Sequence, residues 1–512
     1  MFGQETLTKT LLIIKSSGLP IDMRGSTALV LILVLATSSM VSVLPVKAEA
    51  RTIVVPDNYQ TITAAVGNAT DGDTILVRKG TYDGPWNKTL FINKTISLIG
   101  EDASNTIINL HPAYVTEWLF STYLSYYIPS ISIEAKDVTL CGFTIIDDGW
   151  YVQVKGDGAQ IVGNVITKNV KMMGSYQTCA FNTVNSTFYP NGTLMQYGHI
   201  DLEGNYSRAT ANILVNGGTI GASGYFNSIV GNTGSGLIST GLMAVSNVVY
   251  GNNLEDGFGI GIATMGNIVA NNTVTNCTRG IAIIWGSGNI VAGNSITDCP
   301  GIGLYEKDNA GNNTFYANYV ANNLEGAKIV ASRSYNTTLY HNNFVNNLRQ
   351  VNTDENETVT SYSGLNFTQP LTHGGNFDYG MEGNYWSDYT GADADGDGIG
   401  DTPYVIDANR SDHYPLMAPF NISSVTIQLP EWANVTLPSS LQTPSFPPAP
   451  SPSPSPTPSP TPTPIPSPSP SPTATPHDTE PEPFTVALVA IVSGVTGVVV
   501  GIGLIAYLKR KH

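Results

Sequence analysis

Residues 266–284 read GNIVANNTVTNCTRGIAII, residues 288–306 read GNIVAGNSITDCPGIGLYE, and residues 311–330 read GNNTFYANYVANNLEGAKIV. Aligned, they repeat at roughly 22 residues, a solenoid period. Weaker copies begin at Ser246 (SNVVYGNNLEDGFGIGI) and Tyr335 (YNTTLYHNNFVNNLRQV). Within each copy, apolar pieces of two or three residues alternate with Asn or Gly. Such pieces are too short for helices and suit three brief strands joined by sharp corners. The expected fold is all-β: one repeat is one turn of a parallel β-helix of about ten to twelve turns.

Stacked turns lie about 4.8 Å apart, so equivalent positions superpose into aliphatic ladders inside and asparagine ladders at the corners. Asparagine tolerates left-handed backbone and can bond to its copy in the next turn, which accounts for the repeated Gly-Asn and Asn-Asn pairs. Cys277 and Cys299 hold the same place in adjacent copies. A disulfide is within reach there, but parallel stacked side chains favour a buried thiol stack.

The composition narrows the partners. Net charge is -16, and only 12% of residues are charged. No basic surface is available to follow phosphate, which argues against a nucleic-acid partner. The four cysteines are too few and too scattered for a disulfide framework or a zinc site.

The ends of the chain point outside the cell. Residues 1–50 read as an N-terminal extension and signal peptide: Arg24, the apolar run ALVLILVLA and the small-x-small site Ala48-Glu49-Ala50, with Met23 a plausible start. Residues 484–508 carry no charge and are long enough to cross a bilayer, followed by a basic tail at 509–512 that the positive-inside rule places in the cytoplasm. Before them, residues 438–483 are rich in Pro, Ser and Thr, the composition of an extended stalk. A short tail at 421–437 precedes the stalk. Sequons at Asn68, Asn93, Asn191, Asn276 and Asn336 fit an exported glycoprotein. The expected localisation is a single-pass cell membrane protein with its N-terminal domain extracellular.

The folded region spans residues 51–420. At 51–90, NYQTITAAVGNATDGDTILVRKGTY supplies a short amphipathic helix carrying Ile62, Ala65 and Val66, then a strand, to cap an otherwise open solenoid end. At 376–420 a closing segment contains GADADGDGIGD, residues 391–401. The opening TIVVPDNYQTITAAV, the phrase VTLCGFTI, the Asn/Gly repeats and the tail GNYWSDYTGADADGDGIGDTPYVID resemble the NosD-like, right-handed parallel β-helix proteins of the pectin-lyase-like superfamily, often archaeal surface proteins with carbohydrate-binding or sugar-hydrolysis repeats. The resemblance covers about Arg51 to Phe420. It implies the right-handed fold firmly and function loosely, because this fold carries lyases, hydrolases, binders and scaffolds alike.

Asp393, Asp395, Asp397 and Asp401 take positions one, three, five and nine of a calcium loop, with Ile399 offering a carbonyl at the seventh. Tyr404 stands where an EF-hand has its glutamate, so a structural ion is expected rather than a sensor. For catalysis, Asp201 and Glu203 beside His199 would point to one side of a strand. Other candidate acids are Asp147 with Asp148, Glu255 with Asp256, and Glu306 with Asp308. Sugar stacking is offered by Tyr114, Trp118, Tyr123, Tyr126 and Tyr127, which interrupt the turns, and by Trp150 and Tyr151, although the same residues can pack an insertion onto the solenoid. The family name invokes copper, but His111, His199, His341, His373 and His413 show no ligand spacing, so copper is not expected. The leading expectation is binding of polysaccharide or another envelope partner without catalysis. A polysaccharide lyase or glycoside hydrolase is the alternative, and a NosD-like copper-related role the second.

Overall fold

The computed structural model describes residues 49–84, 88–111, 114–119, 122–147, 151–188, 194–196, 198–241, 243–308, 310–330, 334–353, 375–433 and 446–448. The chain divides into two compact units, 1–449 and 450–512, and the second lies outside the described residues. Among the described residues no helix is long and apolar enough to cross a membrane, and the stretch 484–508 lies outside them.

Each turn of the solenoid contributes one strand to a thirteen-stranded parallel sheet, the first wall, running from Thr52–Val55 to Thr338–Tyr340. The turn then crosses a second wall, with strands such as Val165–Ile166 and Thr273–Thr275, and a third, with strands such as Asn169–Met172 and His199–Leu202. Two long strands, Ile213–Ala222 and Thr233–Thr240, run unbroken round the corner and join the second and third walls into one sheet. Strand registers superpose like on like: Ile229 pairs with Val249, Val249 with Val269 and Val269 with Val291. This fully buried row is the expected aliphatic ladder, and it belongs to one continuous core from Ile53 to Trp386.

The paired corner residues divide their labour. In Asn271-Asn272 the first residue takes the left-handed conformation (φ 54°), and the second turns inward. The same split recurs in Asn322-Asn323 and Asn346-Asn347, with glycine first in Gly251-Asn252 and Gly293-Asn294. Of these, Asn252, Asn272 and Asn294 belong to a chain between the first and second walls. Asn212 donates its backbone N–H and Nδ2 to Asn232 Oδ1, both at 2.9 Å, and Asn232 repeats this to Asn252. The remaining Nδ2 proton of Asn232 goes to the Ala209 carbonyl. Every polar atom of the amide is thereby bonded, which makes its burial tolerable.

Such a chain points all its donors one way and needs an acceptor at its end. The chain from Asn164 to Asn384 ends on fully buried Asp412, whose Oδ2 accepts from Asn384 N–H at 2.7 Å and Trp386 Nε1 at 2.8 Å. A second chain, between the third and first walls, runs from Gln177 to Asn313 and ends on Glu306 Oε2. Glu306, a candidate catalytic acid from the sequence, is an interior residue, bonded also by Thr337 Oγ1 at 2.7 Å. It sits in register with inward-facing Ile283 and Ile329. Desolvation raises its pKa; it also raises that of Asp412, which reaches about 6.

Cys277 and Cys299 are free and buried, on consecutive turns fixed by the pairing of Thr275 with Thr297. They occupy corner-ladder places: Cys299 N–H donates to Asn323 Oδ1, and Asn323 to Asn347.

At the N-terminal end, Thr61 caps a helix at Ile62–Asn68 through its hydroxyl, and Ile62, Ala65 and Val66 are buried against the first strands. At the other end, Trp386 is sandwiched between Phe344 and Tyr404, with ring centroids 4.6 and 4.4 Å away.

Candidate functional site

The third wall carries a polar cluster assembled from consecutive turns. Parallel pairing sets Lys171 beside Asp201 and Asp201 beside Gly221, and in the neighbouring row Asn169 beside His199 and His199 beside Thr219. Strand alternation buries Ile200 and Leu202 and turns His199 and Asp201 outward. His199 Nδ1 is hydrogen-bonded to Thr219 Oγ1, and its Nε2 lies 4.0 Å from Asp201 Oδ2. Ser223 Oγ donates to Asp201 Oδ1 at 2.7 Å. Lys171 Nζ stands 3.0 Å from Glu203 Oε1 and 5.4 Å from the centre of the Tyr151 ring.

The charges on this face are matched. Burial alone would push the Asp201 carboxyl up, but bonds from His199 and Ser223 outweigh it and hold the group below its ordinary value. Glu203 in turn holds the Lys171 ammonium above its own. The arrangement keeps the Asp201 carboxylate ionised and hydrogen-bonded, which suits recognition of hydroxyl groups better than proton donation. Tyr151, expected as a sugar platform, has Lys171 over its ring.

Beyond Asp201 the row continues through Gly221, Ser239 and Gly261 to Ala282 and Tyr305, which are buried in a small apolar cluster with Val330. The small residues of this row, Gly221 to Ala282, span about 14 Å at the spacing of parallel strands. His199 and Asp201 lean over Gly221, where an added Cβ would stand 3.2 Å from His199 Cε1 and 3.6 Å from Asp201 Oδ1. Gly261 opens onto free space.

Two antiparallel hairpins enter the chain between the second and third walls. One pairs Tyr114 with Tyr127, Val115 with Tyr126 and Trp118 with Tyr123; the other joins Thr187–Phe188 to Leu194–Gln196. The side chains of Tyr114, Trp118, Tyr123, Tyr126 and Tyr127 lie outside the described residues, as do Asp147's side chain and all of Asp148 and Trp150. Lys171 was not singled out from the sequence. Its signal was an outward position one turn before His199-Ile200-Asp201, hidden by the hairpin that lengthens that turn.

In the acidic loop, carboxylate oxygens of Asp393, Asp395 and Asp397 lie within 4.8 Å of one another, which matches oxygens on opposite sides of one calcium ion. Backbone bonds shape the loop: Gly396 and Gly398 N–H donate to Asp393, and Ile399 N–H to Asp397. Asp401 is not part of this trio; its Oδ2 accepts from Ala394 N–H. Ile399 forms an antiparallel bridge with Leu416.

Residues 246–391 match the family model described as periplasmic copper-binding protein (NosD). Among curated proteins none matches. Solved structures with a similar chain path include the Dettilon tailspike protein (11% identity, TM-score 0.36, 57% of this chain and 62% of that one). The A-module of mannuronan C-5 epimerase AlgE6 from Azotobacter vinelandii is another (12%, 0.39, 58% and 91%). A mannuronic acid specific polysaccharide family 6 lyase from human gut microbiota is a third (12%, 0.35, 66% and 87%). This chain spans less than two thirds of the tailspike's length.

The described residues do not fit copper. Among the described residues the one group of three or more metal-ligating side chains is the carboxylate trio, a hard oxygen set, whereas copper favours imidazole and sulfur. His341 and His413 are each engaged by a carboxylate, Glu382 at 3.5 Å and Asp378 at 2.8 Å. With strands stacked in register from Thr52 to Tyr340, the chain is a parallel β-helix protein, and its most clearly repeating turns, residues 246–391, are similar to the NosD family.

Proposed function

We propose that this chain is a surface-anchored extracellular solenoid that binds polysaccharide without catalysis, and that the third wall is its binding face. The observation that carries this reading is the strip Gly221, Ser239, Gly261 and Ala282, which leads away from the paired His199, Asp201, Lys171 and Glu203. An extended glycan can lie along the small residues there, with its hydroxyls meeting the ionised Asp201 carboxylate, Glu203 and the lysine at one end. The Asp201 carboxyl, held below its ordinary value by His199 and Ser223, suits binding better than the protonated acid that glycoside hydrolysis needs. The exported, anchored placement rests on the signal-like 1–50 segment and the uncharged 484–508 stretch, and the sequons support glycosylation.

Within the same reading, the helix Ile62–Asn68 serves as the N-terminal cap, and the Asp393, Asp395, Asp397 trio holds a structural Ca²⁺ that fastens the closing segment. A glycan array on the full chain, run beside assays for reducing ends and unsaturated sugars, tests the function. Binding that is lost in Asp201→Asn, with no product released, is the expected result. Release of unsaturated sugar or new reducing ends would replace this reading with a lyase or hydrolase.

A further inference from the structure

After the acidic loop the chain turns back along the solenoid. Phe420 stacks on His341 with ring centroids 4.0 Å apart, and its backbone N–H and carbonyl both bond the Asn343 side chain, at 2.7 and 2.8 Å. Next, Val425, Ile427 and Leu429 are half-buried while Thr426 and Gln428 are exposed, the alternation of an extended segment with one face covered. Ile427 Cδ1 lies 3.7 Å from where a Cβ on Gly293 would stand, two turns earlier than His341. Trp432 meets Tyr206 and Phe226 edge-on, at 6.4 and 5.6 Å. Phe446 packs on Val54, Leu76, Ile99 and Cys141, the outer row of the earliest turns, and Arg78 donates to the carbonyls of Pro447 and Pro448 at 3.2 and 3.3 Å.

The distances allow this path. Thirteen strands span about 60 Å, and the residues from Phe420 to Phe446 reach about 85 Å when extended. The strands of the first wall already bond to the turns above and below, so a segment crossing them is held by side chains more than by a backbone ladder. Its contacts are local and separate, and can open without unwinding the solenoid.

We propose that the outer face of the first wall is a docking surface whose occupant is the chain's own tail, at residues 420–433 and 446–448, and that this tail is a releasable latch whose last contacts, at Pro447 and Pro448, lie beside Arg78, where the solenoid begins. On the reading of 484–508 as an anchor, on which this part rests, tension from the anchor reaches Phe446 first, then Trp432, then Ile427. The latch peels one contact at a time, uncovering Cys141 and the apolar row beside it.

Cys141 is a built-in reporter. It lies on the outer row under Phe446, whereas Cys179, Cys277 and Cys299 face the core. In the full chain under native conditions, maleimide should label Cys141 slowly, and Phe446→Ala should accelerate that labelling about tenfold or more. Trp432→Ala should accelerate it less, and the three inner thiols should stay unlabelled in all forms. Equal labelling of Cys141 in the parent chain and Phe446→Ala, whether fast or absent, would overturn the latch. Resistance of the full chain to alkaline extraction from membranes tests the anchor separately: its loss removes the order of peeling and leaves the labelling result to decide the latch.

Discussion

The buried corners and the outer face of the third wall are cut from the same turns, yet they follow opposite rules. At the corners each turn repeats its neighbour: Asn212, Asn232, Asn252 and Asn272 each accept from the amide before and donate to the one after. On the third wall, Tyr151, Asn169, His199, Thr219 and Leu237 share one row and no chemistry. A buried polar chain tolerates no interruption, because each missing amide strands donors on one side and acceptors on the other. An outward row has water as a substitute partner, so it is free to vary, and a binding site can be built there without unsettling the fold.

The sharpest break of this contrast is Asn252→Ala. It removes the acceptor of Asn232 N–H and Nδ2 and the Nδ2 donor to Asn272 Oδ1 and Ile229 O, leaving Asn272 Oδ1 only the backbone N–H of residue 252. The expected loss is about 3 kcal/mol, read by denaturant unfolding, with glycan binding by the remaining folded protein unchanged.

A somewhat smaller effect comes from pH. The folded-state pKa of Asp412 is raised above its unfolded value, so its stabilising contribution is fully present below about pH 4 and is lost as pH rises through about 6. Glu306 shifts in the same direction. Asp73 is held low by Arg51, so its contribution is present above its unfolded value and lost as pH falls below it. Stability should therefore peak in mild acid and decline toward pH 8 by at most about 3 kcal/mol, with Asp412→Asn flattening the alkaline side of a melting-temperature profile. A profile that rises steadily from pH 5 to pH 8 would contradict the ladder-end assignment.

Chelation of calcium, or Asp395→Ala, should act locally. Hydrogen exchange is expected to quicken around Trp386 and Asp412 and to stay unchanged at the turns near Ile161. The smallest stability effect belongs to Asp201→Asn, within about 0.5 kcal/mol because its partner Ser223 is only part-buried, although sugar binding should be lost. A large stability loss there would mean that the third-wall cluster is scaffold after all.

The repeat, the corner pairs and the buried helix face were legible in the sequence because each is a local pattern copied many times. The separate jobs of the two corner residues were not. Both readings of asparagine, left-handed turn and ladder, fit the dipeptide, and only backbone angles assign one job to each member. Glu306 was misread because its neighbours in the chain, Tyr305 and Lys307, gave no sign that it faces inward to receive Asn313 and Thr337. Lys171 with Glu203 was hidden by the hairpin between their turns, and the return of Trp432 and Phe446 by the proline-rich composition around them.

By itself, then, the sequence determined the architecture. A short period with apolar residues at matching places admits one way of burying them, in stacked turns, and the amides that recur with the period stack too. Tertiary structure alone decided which different residues meet across turns of unequal length: the His199, Asp201, Lys171 and Glu203 cluster, the carboxylates that end the ladders, and the tail on the first wall. Those meetings depend on register accumulated through insertions, which no local pattern encodes.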